Sequence, residues 1–256
     1  MKRVLTAAVA IPIVLFITLF SPDWLFAFFV GLICALAVDE FLSLADKKGI
    51  GRPGRWFLAP SAVVAICFLG GGSWVVTAFA LTGITLMTVM IFSESIDAVL
   101  GRVGMGLGGV AYCSLTLGFL IIMPRELVLL LFGIIWIGDT AAYYAGRALG
   151  RHSLAPKVSP KKTIEGAAAG LIGSVVAGVI GAFFLGESWL RMAGISAATA
   201  IAGQVGDLAE SVLKRSAGVK DSSSILPGHG GILDRLDSLF FAAPIDRKST
   251  RLNSSH

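Results

Sequence analysis

The chain of 256 residues is strongly apolar: 55% of its residues are hydrophobic, 14% are charged, and its mean hydropathy is +0.84. Average soluble domains have about 45–50% apolar and about 25% charged residues, so this composition excludes a soluble enzyme, a disordered chain and a disulfide scaffold. The net charge of +5 comes from basic residues in short loops, which membrane topology explains without a nucleic-acid partner. We therefore predict an all-α, polytopic integral membrane protein.

Apolar runs follow one another along the chain, separated by short breaks with turn residues. A bilayer core requires about 20 apolar residues per helical span, and runs without period-two alternation favour helices over barrel strands. The runs lie at about 4–20, 24–44, 56–69, 74–92, 103–123, 127–145, 164–185 and 190–209, with a last one from about 232. We expect about nine transmembrane helices, the last of them truncated.

These helices are expected to form a single membrane domain over residues 1–245. N-terminal helices at about 1–100 would precede a catalytic part at about 103–245. Residues 247–256 are polar, differ from everything before them and resemble a translated adapter, so we expect a non-native tail and leave it out of the functional reasoning.

Basic residues are unequally divided between the two sides of the expected membrane. With the N-terminus inside, 16 of the 21 Lys and Arg residues fall on the inner side and only Arg125 and Arg191 on the outer side. The positive-inside rule therefore predicts a cytoplasmic N-terminus in the cell inner (cytoplasmic) membrane. The polar clusters described next then lie on the cytoplasmic side.

The segment 204–237 carries carboxylates at helical spacing. Acidic residues within spans cost ~2.5–3.5 kcal/mol on insertion scales and mark candidate functional sites. Positions i, i+3, i+4 and i+7 of one helix face hold Asp207, Glu210, Ser211 and Lys214. Asp234 and Asp237 stand at i and i+3 at the start of the next helix.

This combination of residue types predicts a metal–phosphate site. Carboxylates without thiolates suit Mg²⁺ rather than zinc, which makes Asp207, Asp234 and Asp237 candidate ligands. Nearby basic residues would neutralise phosphates, and glycines let backbone amides approach an anion at a helix N-terminus. The basic residues are Lys214, Arg215, Lys220 and Arg235, and the glycines are Gly228, Gly230 and Gly231. The alternative is that Asp207 and Asp234 form structural ion pairs with Lys214 or Arg235.

The same segment resembles a family signature at seventeen positions over 27 residues. It reads Ser211-x-Leu213-Lys214-Arg215-x₄-Lys220-Asp221-x-Ser223-x₂-Leu226-Pro227-x-His229-Gly230-Gly231-Ile232-x-Asp234-Arg235-Leu236-Asp237. This pattern is similar to the signature of the phosphatidate cytidylyltransferase (CDP-diacylglycerol synthase) family. The hydropathy profile resembles that family over about residues 1–245.

The resemblance implies a Mg²⁺-dependent transfer of CMP from CTP to phosphatidic acid, giving CDP-diacylglycerol and pyrophosphate. It maps the family's metal ligands onto Asp207 and Asp234, makes CTP, phosphatidic acid and membrane lipids the partners, and makes a homodimer plausible. Catalytic roles would fall to Lys214, Arg215, Lys220, Asp221 and Arg235. Substrate contacts would fall to Ser211, His229, Gly230 and Gly231.

Two further clusters resemble segments of the same family. In the first, W-x-x-D-x-x-A-Y-x-x-G-R, Asp139 and Tyr143 share a helix face. In the second, S-P-K-K-T-x-E-G, a basic loop leads into a helix that Thr163 or Ser159 would cap. We expect Lys161 and Lys162 to contact phosphates, and Asp139 and Tyr143 to lie at the substrate site.

Two less specific interpretations complete the sequence analysis. A transporter with a polar site on the cytoplasmic side is the alternative function, but it requires polar residues through the membrane depth, and the spans are apolar away from their cytoplasmic ends. Asp39 and Glu40, near the end of the second apolar run, are predicted to be interfacial.

Overall fold

A computed structural model describes residues 2–93, 95–225 and 230–251 of the chain, and the side chains within 8–93, 95–225 and 230–245. These residues form nine α-helices and one two-stranded sheet. The helices are α1 (Lys2–Phe20), α2 (Asp23–Lys47), α3 (Leu58–Ile66), α4 (Gly72–Met90), α5 (Val99–Gly109), α6 (Arg125–Leu149), α7 (Ile164–Leu185), α8 (Trp189–Ser216) and α9 (Leu233–Arg251). Each predicted apolar run coincides with one of these helices, including the helical turns that extend α3 and α5.

Five helical stretches in the described residues are long and apolar enough to cross a membrane. They are Asp23–Lys47, Gly72–Met90, Val99–Ile122, Arg125–Leu149 and Ile164–Leu185. Shorter apolar helices lie at Ala8–Phe20 and Arg55–Gly70. The all-α membrane class is confirmed, whereas the number of nine spans stays a prediction.

One prediction about the connection between α6 and α7 is wrong. The expected basic loop is a small antiparallel hairpin, in which β1 (Ser153–Ala155) pairs with β2 (Ser159–Thr163). The two residues before β1 are tied to α7 by Glu165, whose Oε2 accepts the backbone amides of Arg151 and His152 at 3.1 and 3.3 Å. The sequence does not show this contact, because a short polar hairpin has no apolar periodicity.

The described residues divide into two compact units. The first comprises the residues up to Ile122 together with Leu213–Leu236, and the second comprises Met123–Val212 together with the residues from Asp237 onward. The predicted domain scheme, one domain over 1–245 with a division near residue 100, stays a prediction.

In the first unit, α2 lies at the centre of the apolar core. Its side chains Ala27, Cys34, Ala37 and Val38 are fully buried, which fits a helix that is apolar on nearly all sides. By contrast, α4 exposes a row of large apolar side chains, as expected of a helix in contact with lipid rather than water. This row includes Trp74, Val76, Leu81, Ile84 and Met87.

In the second unit, α6 and α7 pack through small residues, as membrane helices commonly do. Ser174 Oγ donates to the Ile134 carbonyl at 2.9 Å, and a Cβ on Gly138 would collide with that hydroxyl. Thr163 caps α7 as predicted, because its Oγ1 accepts the Gly166 amide at 3.1 Å. This packing fixes the position of Asp139 on α6.

Candidate active site

The predicted site residues are distributed over both units. The first unit holds Lys214, Arg215, Lys220, Asp221, Gly230, Gly231, Asp234 and Arg235. The second unit holds Asp139, Tyr143, Lys161, Lys162, Asp207, Ser211 and Asp237. His229 and Gly228 lie outside the described residues.

Asp234, in the first turn of α9, has both carboxylate oxygens engaged. Oδ1 accepts Lys214 Nζ at 2.6 Å, and these side chains are only 5% and 12% exposed. Oδ2 accepts the Ser222 and Gly231 amides at 2.9 and 2.8 Å, and it lies 2.9 Å from the Ser222 hydroxyl oxygen. The contacts match the structural ion pair that the sequence analysis kept as an alternative for Asp234.

These contacts also set the charge of Asp234, which lies outside the five candidate spans. Burial favours the neutral acid, but the hydrogen bonds from Lys214 and from the Gly231 and Ser222 amides outweigh it and hold the pKa of Asp234 below its usual value. Asp234 is therefore an anion at neutral pH.

A second buried carboxylate, that of Glu40, contacts the same segment. Glu40 is 1% exposed, and its predicted location at the membrane interface stays a prediction. It accepts hydrogen bonds from the hydroxyls of Ser222 and Ser223 and from the amides of Ile232 and Leu233, at 2.6–2.9 Å. Those partners are 182 to 193 residues away in the sequence, so spacing cannot reveal them.

The neighbouring Asp39 is partly exposed and pairs with a different residue. Its Oδ1 accepts Arg52 Nη1 at 3.1 Å, and the two side chains are 31% and 28% exposed. A signal for Glu40 was nevertheless present, since a carboxylate within an apolar run is itself a candidate functional residue.

Glycine is required at two positions of this segment. Gly230 has φ +80°, which disfavours any other residue. A Cβ on Gly231 would collide with Ser222 Oγ and Glu40 Oε2. The Gly231 amide donates to Asp234, so the predicted approach of glycine amides to a phosphate stays a prediction.

Other predicted residues of the first unit face outward. The side chains of Lys220, Asp221 and Arg235 are exposed. Arg215 is exposed too, and its Nη1 donates to the Val219 carbonyl at 3.3 Å. Exposure leaves these side chains accessible to a ligand.

The second unit contains an acidic cluster formed by Asp139, Asp207 and Asp237. Lys162 Nζ forms an ion pair with Asp207 Oδ2, and both side chains are about one-third exposed. Asp139 interacts electrostatically with Asp207 and Lys162, and Asp237 interacts with Asp207 and Asp139. Mutual repulsion among these carboxylates is relieved by the nearby Lys162 ammonium.

The helices and the strand that carry the acidic cluster contact one another near it. Gln204 Nε2 donates to the Ala167 carbonyl at 2.9 Å and so ties α8 to α7. A Cβ on Gly206 would lie 2.5 Å from the Asp237 carbonyl oxygen, so α8 and α9 approach closely here. Lys162 reaches Asp207 from β2, while Lys161 and Tyr143 expose their side chains.

The donor types of the acidic cluster fit Mg²⁺, which prefers carboxylate oxygens. Within residues 2–93, 95–225 and 230–251, no group of three or more His, Cys, Asp and Glu side chains is arranged to hold a metal ion.

Comparison with known proteins gives one consistent family. The chain matches the profile of the Cytidylyltransferase family over residues 1–247. The chain belongs to the cytidylyltransferase family. The phosphatidate cytidylyltransferases of Staphylococcus haemolyticus, Staphylococcus epidermidis and Staphylococcus aureus are 36%, 34% and 32% identical to it. Each alignment covers 95% of this chain and 96% of the relative.

In this member of the cytidylyltransferase family, four of the predicted site residues form two lysine–aspartate pairs. Lys214 pairs with Asp234 in the first unit, and Lys162 pairs with Asp207 in the second. The resemblance to the family is confirmed, and the role assigned to each site residue stays a prediction.

Proposed function

We propose that this chain is a phosphatidate cytidylyltransferase, an enzyme that transfers CMP from CTP to phosphatidate. The observation that carries the proposal is the match to relatives of that name, at 32–36% identity over 95% of the chain. Five apolar helices support a membrane enzyme with a lipid substrate. No feature of the described residues favours the transporter that the sequence analysis kept as an alternative.

The transfer of CMP requires no strong base from the protein. A phosphate oxygen of phosphatidate attacks the α-phosphorus of CTP and forms a new P–O bond. The bond from the α-phosphorus to the bridging oxygen breaks, and pyrophosphate leaves with the electron pair. A phosphate monoester has its second pKa near ~6, so the nucleophile is ionised at neutral pH and needs no strong base. Catalysis is then positioning and charge neutralisation.

The basic side chains that the family resemblance identifies are the proposed phosphate contacts. Lys220, Arg215 and Arg235 are exposed, which supports contact with the triphosphate of CTP. Lys161 is exposed on β2 and Lys162 is partly exposed beside Asp207. Phosphate oxygens would compete with Asp207 for the Lys162 ammonium.

We also propose Mg²⁺ as the cofactor. When bound, it would neutralise charge on the triphosphate. Asp207 and Asp237 of the acidic cluster fit as ligands by donor type. Asp234, the other ligand implied by the family resemblance, would first have to release Lys214.

We also propose a cellular location, a number of membrane spans and an oligomeric state. The unequal division of 16 inner and two outer basic residues supports a bacterial inner membrane location with a cytoplasmic N-terminus and active site. The nine apolar runs support about nine spans. A homodimer is proposed on the family resemblance alone.

The test is a transfer assay on the purified chain. The protein is reconstituted in liposomes containing phosphatidate and supplied with radiolabelled CTP, with Mg²⁺ or with EDTA. With Mg²⁺, we expect labelled CDP-diacylglycerol and an equal amount of pyrophosphate. With EDTA, we expect neither product. Absence of labelled lipid under both conditions contradicts the function, whereas equal product under both contradicts only the cofactor.

A further inference from the structure

A carboxylate of α2 contacts the signature segment, defined here as residues 220–225 and 230–234. We propose that Glu40 is a positioning residue that holds this segment in the conformation that receives CTP. The kinetic part rests on the proposed function, whereas the structural part rests on contacts within the first unit alone.

The four hydrogen bonds of Glu40 join the two ends of the signature segment. Oε1 accepts the Ser223 hydroxyl at 2.6 Å and the Ile232 amide at 2.9 Å. Oε2 accepts the Ser222 hydroxyl and the Leu233 amide, both at 2.8 Å. Each oxygen therefore binds one residue of each end, and a single side chain fixes the distance between them.

Charge and burial make this arrangement specific for a carboxylate. Ile232 and Leu233 present backbone amides at the start of α9, where the helix dipole attracts an anion. Glu40 is 1% exposed, and a buried carboxylate is stable only when its oxygens are hydrogen-bonded. Undocking of the signature segment would thus leave a buried anion without these donors.

Glu40 also acts on Asp234 through one shared hydroxyl. Ser222 Oγ lies 2.8 Å from Glu40 Oε2 and 2.9 Å from Asp234 Oδ2. The Gly231 amide donates to Asp234, and Gly231 has no room for a side chain against Glu40. The position of Asp234, a predicted site residue, is therefore coupled to Glu40.

Glutamine at position 40 cannot reproduce these contacts, although it has the same size. In either orientation of the amide, its NH₂ group faces a backbone N–H, that of Ile232 or that of Leu233. The serine hydroxyls can turn to accept a hydrogen bond, but a backbone amide cannot. Glu40→Gln therefore loses at least one hydrogen bond at the start of α9.

The first experiment compares Glu40→Gln with Asp39→Asn in the liposome assay. Asp39→Asn removes the adjacent carboxylate, which binds Arg52 and makes no hydrogen bond to the signature segment. We expect Glu40→Gln to raise KM for CTP about tenfold, as loss of a hydrogen bond to a charged group would do, with KM for phosphatidate unchanged. Asp39→Asn should keep both KM values. A lower apparent kcat with both KM values unchanged would mean only loss of folded protein and would overturn the proposal.

Ser223→Ala tests the same contact without a change of buried charge. Ser223 is half-buried, and the substitution removes one donor to Glu40 Oε1. We expect KM for CTP to rise about threefold, and the double variant with Glu40→Gln to show no more than the effect of Glu40→Gln alone. An unchanged KM in Ser223→Ala, or additive effects in the double variant, contradicts the positioning role even where Glu40→Gln fails to fold.

Trypsin cleavage after the exposed Lys220 provides a measurement that needs no catalysis. Glu40→Gln should be cleaved there faster than the wild type and Asp39→Asn. Equal rates overturn the positioning role whatever the activity. An inactive wild type with the expected cleavage pattern overturns the proposed function instead.

Discussion

Lys214 Nζ lies 2.6 Å from Asp234 Oδ1, and the two side chains are 12% and 5% exposed. The pair links the last turns of α8 to the first turn of α9 in the first unit. Removal of one partner of a buried ion pair leaves a buried charge without compensation, whereas removal of both leaves none.

Lys214→Met should therefore lower the free energy of unfolding by about 3 kcal/mol. The double variant Lys214→Met, Asp234→Asn should recover a large part of that loss. Thermal unfolding in detergent measures both. If the single and double variants unfold at the same temperature, Lys214 does not compensate the charge of Asp234.

Asp207→Asn should reduce CMP transfer at least about a hundredfold, because it removes a carboxylate from the acidic cluster that is proposed to hold Mg²⁺. Glu187→Gln, which removes a carboxylate paired with Arg191 at the start of α8, serves as the control and should keep wild-type turnover. The measurement is initial rate against Mg²⁺ concentration. A wild-type rate for Asp207→Asn at all Mg²⁺ concentrations would exclude Asp207 from the reaction.

Gly231→Ala should lower both stability and turnover, since its Cβ would collide with Ser222 Oγ and Glu40 Oε2. Overpacking of this kind costs about 1–3 kcal/mol. Gly104→Ala on α5, where a Cβ meets no atom within 4 Å, is the matched control and should unfold at or slightly above the wild-type temperature. Equal unfolding temperatures for the two variants would show that the signature segment shifts to accommodate the methyl group without loss of stability.

Thr163→Ala should destabilise the start of α7 by about 1 kcal/mol, because the helix loses the N-cap that accepts the Gly166 amide. Thr163→Ser keeps the hydroxyl and should restore most of the loss. Unfolding temperatures in detergent distinguish the two. If Thr163→Ser is as unstable as Thr163→Ala, the methyl group rather than the cap stabilises this turn.

The sequence predicts the helices well because their signal is local. An apolar run of sufficient length has few alternatives to a membrane helix, and α7 agrees with its predicted run at both ends. The cap at Thr163 can likewise be predicted from neighbouring residues, because its partner is the Gly166 amide three positions later. The hairpin β1–β2 cannot, since Glu165 holds the residues before it through contacts that a polar pattern does not encode.

The candidate site is predicted by residue type but not by contact. Residue type and the family resemblance identify Asp207 and Asp234 as candidate ligands, yet only the structure shows that they pair with Lys162 and Lys214. Glu40 is missed because its apolar neighbours in the sequence say nothing about partners 182 residues or more away.

That separation has a consequence for biosynthesis. The ribosome makes α2 long before it makes Ser222 and Leu233, so Glu40 enters the membrane without any of its four donors. A charged residue in the bilayer carries a free-energy cost until it finds partners, and here the partners are synthesised 182 to 193 residues later. Glu40 therefore gains its four hydrogen bonds only after residues 222–233 have been synthesised, long after the apolar neighbours of α2 are in place.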